Sequence, residues 1–184
     1  MGRSTRVSCA VTAILALAGR CSPQEMSASP LNPASRLRPG SDFEATILTE
    51  GVCRSPSLRS MVAALQDSDV IVYIVMRRIS DRRALGSLEF LGVTATDRIL
   101  RVTIMFPLDR TSRIAMLGHE LQHAIEIARA PEIRDRVAFE EYYRSHGREG
   151  ATETSHETED ARRMEWRVRT EISARASSCD ARSP

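Results

Sequence analysis

The residues most able to do chemistry in this sequence are His119-Glu120-Leu121-Gln122-His123. On a helix, residues four apart share a face one turn apart, so both imidazoles can reach one metal ion. Glu120 lies beside such an ion without having to ligate it. Two histidine ligands with an intervening carboxylate are the parts of a zinc hydrolase, in which the Glu serves as general base toward water. A catalytic zinc usually takes three protein ligands and leaves a fourth place open. The downstream candidates for the third are His146, Glu153, His156, Glu157, Glu159, Asp160 and Glu165.

These residues need elements to position them. A first helix is expected near Asp42–Thr49. A clearer one starts at Ser55-Pro56, a good N-cap followed by a good first-turn residue. Its apolar stripe is Leu58, Met61, Val62 and Leu65. Three β-like runs follow. Residues Val70–Met76 form a continuous β-branched stretch, as in a strand buried on both faces. Leu88–Val93 is mixed. Ile99–Met105 alternates in part, as a half-exposed edge strand would. Thr96-Asp97-Arg98 reads as the turn between the second and third runs, and an antiparallel meander is the simplest assembly. Asp109 or Thr111 then caps the motif helix, whose stripe is Ile114, Leu117, Leu121, Ile125 and Ala128. Pro131 ends it. Further helices are expected over Ile133–Tyr143 and from about His156 to Ala176.

Helical phase helps to choose the third ligand. The last helix would bury Ala161, Met164, Val168 and Ile172, and Glu157 sits one turn earlier on that stripe. An inward carboxylate is costly unless something pairs with it, and a metal ion would do so. The competing account is a capping box, with Thr154 as N-cap and Glu157 three residues on. Tyr142, Tyr143 and His146 lie between the two metal-bearing segments and are candidates for a proton donor or oxyanion stabiliser. Trp166 reads as an aromatic that docks the last helix.

The stretch Gly118–Ala124 resembles the active-site helix of the zincin metallopeptidases. The order of small sheet, motif helix and later Glu-bearing helix is similar to the compact gluzincins. The chain also looks like exported bacterial proteins that carry a His-Glu-Leu-Gln-His helix and a later Glu/Asp-Thr pair. The resemblance spans roughly residues 55 to 175, and only the motif within it is specific. It implies zinc held by His119, His123 and Glu157, with Glu120 as base and a peptide or protein as substrate. The extended metzincin pattern fails, because it needs Gly at 126 and His at 129 where this chain has Glu126 and Arg129. The gluzincin pattern often has Asp four residues after the third ligand; here that residue is Ala161. The expected fold is α+β: a small zincin-like domain with a short antiparallel three-stranded sheet packed on the motif helix and further helices C-terminal.

Composition bounds the alternatives. The 184 residues suit one domain. All 26 basic residues are Arg, and the formal net charge is +2. Arg3 and Arg6 precede an apolar run from Val7 to Ala18, and Ala16-Leu17-Ala18 offers a small-x-small cleavage site, the pattern of an export signal. Without those two arginines the chain is neutral and has no basic stripe, which argues against a nucleic-acid partner. The expected organisation is a signal peptide over 1–18, a Pro/Ser-rich linker over 19–40, the zincin-like domain over 41–176 and a tail over 177–184. The expected location is periplasmic or secreted. The alternative is a lipoprotein tethered to a membrane through Cys21, although Arg20 spoils the lipidation box. An oxidising compartment would permit one disulfide, and Cys53 with Cys179 would tie the front of the domain to its tail. A second reading of the whole chain is a non-catalytic metal-binding or envelope interaction module with a degenerate site. A third is a zinc hydrolase acting on something other than peptides.

Overall fold

The computed structural model describes residues 35–77, 85–106, 108–149 and 156–174. Within them the chain forms an α+β domain. The order is β1 (Leu37–Pro39), α1 (Asp42–Arg54), α2 (Pro56–Gln66), β2 (Val70–Arg77), β3 (Gly86–Val93), β4 (Arg98–Met105), α3 (Arg110–Arg129), α4 (Arg136–His146), β5 (Arg148–Glu149), β6 (His156–Glu157) and α5 (Glu159–Ala174). The segment read as a signal peptide, Cys21, Glu153, Thr154, Cys179 and the tail lie outside the described residues. Among the described residues no helix is long and apolar enough to cross a membrane.

Local capping chemistry sets the helix starts. Ser41, Ser55, Asp109 and Asp135 each cap a helix, their side-chain oxygens accepting from Phe43, Leu58, Ser112 and Ala138 backbone N–H groups. Each acceptor satisfies a backbone donor that the first helical turn leaves free. The Ser55-Pro56 start and the Leu58, Met61, Leu65 stripe are as the sequence predicts. The first helix runs on to Arg54 rather than stopping near Thr49.

The sheet corrects the expected meander. It has four strands in the order β1-β2-β4-β3 and is mixed. Strand β2 runs parallel to both β1 and β4, and β3 is antiparallel to β4. Thus Ile99–Met105, read as an edge strand, belongs to a central strand, and β3 is the edge. Burial explains the exchange. Leu100, Val102, Ile104 and Met105 are all buried, whereas β3 carries Glu89 and two glycines and leaves Leu91 and Val93 exposed. The polar residues of β4 break the sequence alternation without marking solvent: Arg98 is buried with partners, and Arg101 pairs with Glu89 across the strands. Strand β1 takes in residues 37–39 of the stretch read as a linker and buries Leu37.

Helix α3 is buried all round rather than along one stripe. Every residue from Ile114 to Ile127 is buried, because the sheet lies on one side and α1, α2 and α5 close the others. Gly118 lets α5 approach: a Cβ there would meet Val168 Cγ2 at 2.8 Å. The far end of α3 is capped by the Arg98 guanidinium. It donates to the carbonyls of Ile127 and Ala130, both at 2.7 Å, and to that of Ala128 at 3.2 Å, while Asp69 holds its other side. A cation at that end also complements the helix dipole.

Candidate metal centre

His119, Glu120 and His123 occupy the middle of α3 and are all buried. The two imidazoles lie edge to face, with ring centroids 4.9 Å apart. They are therefore not a pair of surface histidines.

Glu157 meets His119, but from a different element than expected. It lies on β6, the short strand before α5, and not on the helix itself. Thr158 is the N-cap of α5, accepting from the Ala161 backbone N–H at 3.1 Å. The helical-phase argument for Glu157 therefore does not apply, although Ala161, Val168 and Ile172 are buried as predicted. Glu157 Oε2 lies 3.3 Å from His119 Nε2. Two ligands of one tetrahedral zinc, each about 2.0–2.1 Å from the metal, are roughly 3.3 Å apart.

The opposite ring nitrogens face other carboxylates. His123 Nδ1 is 2.9 Å from Glu126 Oε2. His119 Nδ1 is buried without a hydrogen bond, and Glu165 Oε2 stands 3.5 Å away. That separation is too long for a formed hydrogen bond but close enough for strong attraction. Glu126 Oε1 in turn accepts from the Thr158 hydroxyl at 2.7 Å.

Electrostatics follow from this crowding. Burial pushes the Glu120 carboxyl up to about 7; the two imidazoles pull it down, and Glu157 and Glu165 add to the rise. A carboxylate held there suits a proton acceptor. Burial opposes charging of His119, but Glu165, Glu120 and Glu157 outweigh it and raise its pKa above 6.5. Glu165 is lowered, first by its attraction to His119 and further by Arg169, despite burial. Glu120 also presses on the sheet: a Cβ on Gly86, the first residue of β3, would lie 2.3 Å from Glu120 Oε1.

The remaining candidates are placed elsewhere. His146 is exposed and turned onto its own helix, with Nδ1 3.0 Å from the Tyr142 carbonyl and its ring stacked on Tyr142. Glu159 and Asp160 are exposed. His156 pairs through its backbone with Glu149. Tyr143 is a core residue whose hydroxyl donates to the His123 carbonyl at 3.1 Å. Tyr142 is half-buried beside it. Trp166 is 70% exposed and so does not dock α5 onto the described residues, contrary to expectation. Sequence reasoning missed Glu126, Thr158 and Gly86 as neighbours of the motif; Glu165, one of the candidates for the third ligand, faces His119 Nδ1 instead of the Nε2 that Glu157 approaches. The position of Glu126, three residues after His123 on the same helix, was the one available signal.

Among the described residues no group of three or more His, Cys, Asp or Glu side chains closes up as a metal-holding cluster. The donor chemistry nevertheless fits zinc: two imidazoles, one carboxylate at ligand spacing from the first, and a carboxylate behind the second. Comparison with protein-family models, curated proteins and solved structures finds no match to this chain.

Proposed function

We propose that this chain is a zincin-like, zinc-dependent hydrolase acting on peptide bonds. The observation that carries the reading is the 3.3 Å approach of Glu157 Oε2 to His119 Nε2, beside a buried Glu120. His119, His123 and Glu157 would hold the metal. Bound zinc would polarise the substrate carbonyl and the attacking water. Glu120 takes the proton of that water on its carboxylate and passes it to the leaving amine. Burial of α3 keeps bulk solvent from the same carboxylate. The outer edge of β3 is unpaired among the described residues and begins against Glu120, so an extended peptide can add there as a further strand. The strand with an edge open to such pairing is β3, residues 86–93, and not the central β4.

The chain acts outside the cytoplasm in this reading, in the periplasm or secreted, or tethered if Cys21 is lipidated. The disulfide at Cys53 supports an oxidising compartment.

The test is elemental analysis and peptidase assay of the purified chain beside Glu120→Gln. One zinc per chain in both proteins, with chelator-sensitive cleavage of an unfolded protein lost in the variant, is the expected result. Equal cleavage by both proteins would sink the role of Glu120. A second reading, a non-catalytic module, draws on the absence of a closed three-ligand group among the described residues. Zinc uptake without turnover of any substrate would favour it.

A further inference from the structure

The proposed ligands come from two separate parts of the chain. His119 and His123 lie on α3, and Glu157 lies on β6, more than thirty residues later. Something must hold these parts in register before a metal can join them. One carboxylate touches both. Glu126 Oε2 is 2.9 Å from His123 Nδ1, and Glu126 Oε1 accepts from the Thr158 hydroxyl at 2.7 Å. Thr158 follows Glu157 directly and caps α5. Both Glu126 and Thr158 are more than nine-tenths buried.

We infer that Glu126 is a positioning residue that sets two of the three zinc ligands at once: it fixes the His123 ring with Nδ1 protonated and, through Thr158, holds the junction that carries Glu157.

The hydrogen-bond inventory leaves little freedom. An ionised carboxylate only accepts, so the neutral imidazole must present N–H at Nδ1 and a lone pair at Nε2. That lone pair is what a metal requires. The other carboxylate oxygen accepts a hydrogen bond from the Thr158 hydroxyl. The Thr158 oxygen is then left to accept from Ala161, as an N-cap must. Tyr143 completes the clamp on His123, with its ring edge to face at 5.3 Å and its hydroxyl on the His123 carbonyl. Among the described residues His119 has no equivalent. Its Nδ1 lacks a hydrogen bond, and Glu165 stands off at 3.5 Å. The two imidazoles are therefore unequal: His123 Nδ1 has a formed hydrogen bond, whereas His119 Nδ1 only faces a carboxylate at 3.5 Å.

The inference rests on the zinc-site reading, so its test includes a measurement that needs no metal. Nitrogen-15 NMR of the metal-free chain at alkaline pH, where imidazole is neutral, reports the tautomer of each histidine. Wild type and Glu126→Gln should show His123 with its proton on Nδ1, because the Gln carbonyl still accepts there. Glu126→Ala should lose that preference and bind zinc about 10- to 100-fold more weakly. Thr158→Val should weaken zinc binding while leaving the His123 tautomer unchanged. Glu165→Gln should weaken it least. If Glu126→Ala fails to fold, the Gln and Val variants carry the test through the same two readouts. An Nε2-protonated His123 in the wild type overturns the inference. So does zinc binding within about twofold of wild type in both Glu126→Ala and Thr158→Val, given an effect of at least tenfold otherwise. If the wild type takes up no zinc, the hydrolase reading fails, and the tautomer alone then decides the role of Glu126.

Discussion

A methyl group added at residue 86 would land against Glu120 Oε1 and also lie 3.0 Å from two carbons of that side chain. Gly86 has no positive φ, so alanine suits its backbone, and the burden of fitting falls on the Glu120 carboxylate. Displacing a reacting group by about 1 Å costs on the order of 100-fold in rate. In the proposed hydrolase, Gly86→Ala should therefore lower kcat/KM by about that factor while zinc content and melting temperature stay near wild type. Full activity in this variant would show that the carboxylate moves aside without consequence. Gly86 also marks a limit of sequence reading. His119, Glu120 and His123 are legible because their spacing alone puts them together on one helix. Gly86 and Thr158 matter through contacts across the fold, which no local pattern reports, whereas Glu126 stands three residues after His123 on the same helix. Trp166 shows the reverse error, since its size suggested burial that its helix face does not provide.

At the scale of elements, the starts of α2 and α3 were easier to read than strand neighbours, whereas α4 and α5 begin at Arg136 and Glu159, three residues after the expected Ile133 and His156. Capping residues act within one turn, so Ser55 could be seen in the sequence, as could Asp109 beside the alternative Thr111. Strand order depends on which strand buries more on both faces, and Arg98 and Thr103 hid that property of β4. Arg98 is fully buried and holds α3 by its last carbonyls, with Asp69 as its charge partner. Arg98→Met keeps the bulk and removes every donor. It should cost about 3 kcal/mol, because several carbonyls and one carboxylate lose their partner together. Urea unfolding of the two proteins measures it, through the midpoint at unchanged slope. A midpoint equal to wild type would mean that water replaces the guanidinium at no cost.

At the scale of the whole molecule, the front and back of the chain meet at the α1–α2 junction. Glu171 accepts from the hydroxyls of Ser55 and Ser57, at 2.5 and 2.7 Å, and from the Ser57 backbone N–H. Arg54 donates to the Ile172 carbonyl at 2.6 Å. Burial alone would raise the Glu171 carboxyl, but these hydrogen bonds more than offset it and hold it below the usual range. The Arg98 hydrogen bond likewise lowers Asp69. A carboxyl lowered in the folded state contributes stability above its unfolded pKa, and that contribution is lost as pH falls through the folded value. The unfolded values are about 4.3 and 3.9, so the melting temperature should hold at neutral pH and fall below about pH 4. Replacing Asp69 by Asn and Glu171 by Gln should flatten that acid limb, as a pH series of thermal melts would show. An equally steep fall in the double variant would assign acid sensitivity to other groups. Raised His119 acts in the opposite sense in the metal-free chain, favouring the fold below its unfolded pKa and losing that contribution as pH rises through the folded value.

The placement of Glu157 just ahead of α5 has a consequence for synthesis. A growing polypeptide presents its histidines well before the segment holding that carboxylate has been made. The ribosome thus exposes a two-ligand intermediate first, and the complete donor set arises only when the late segment docks on α3. In the proposed zinc site, the third ligand would therefore be the last to be placed.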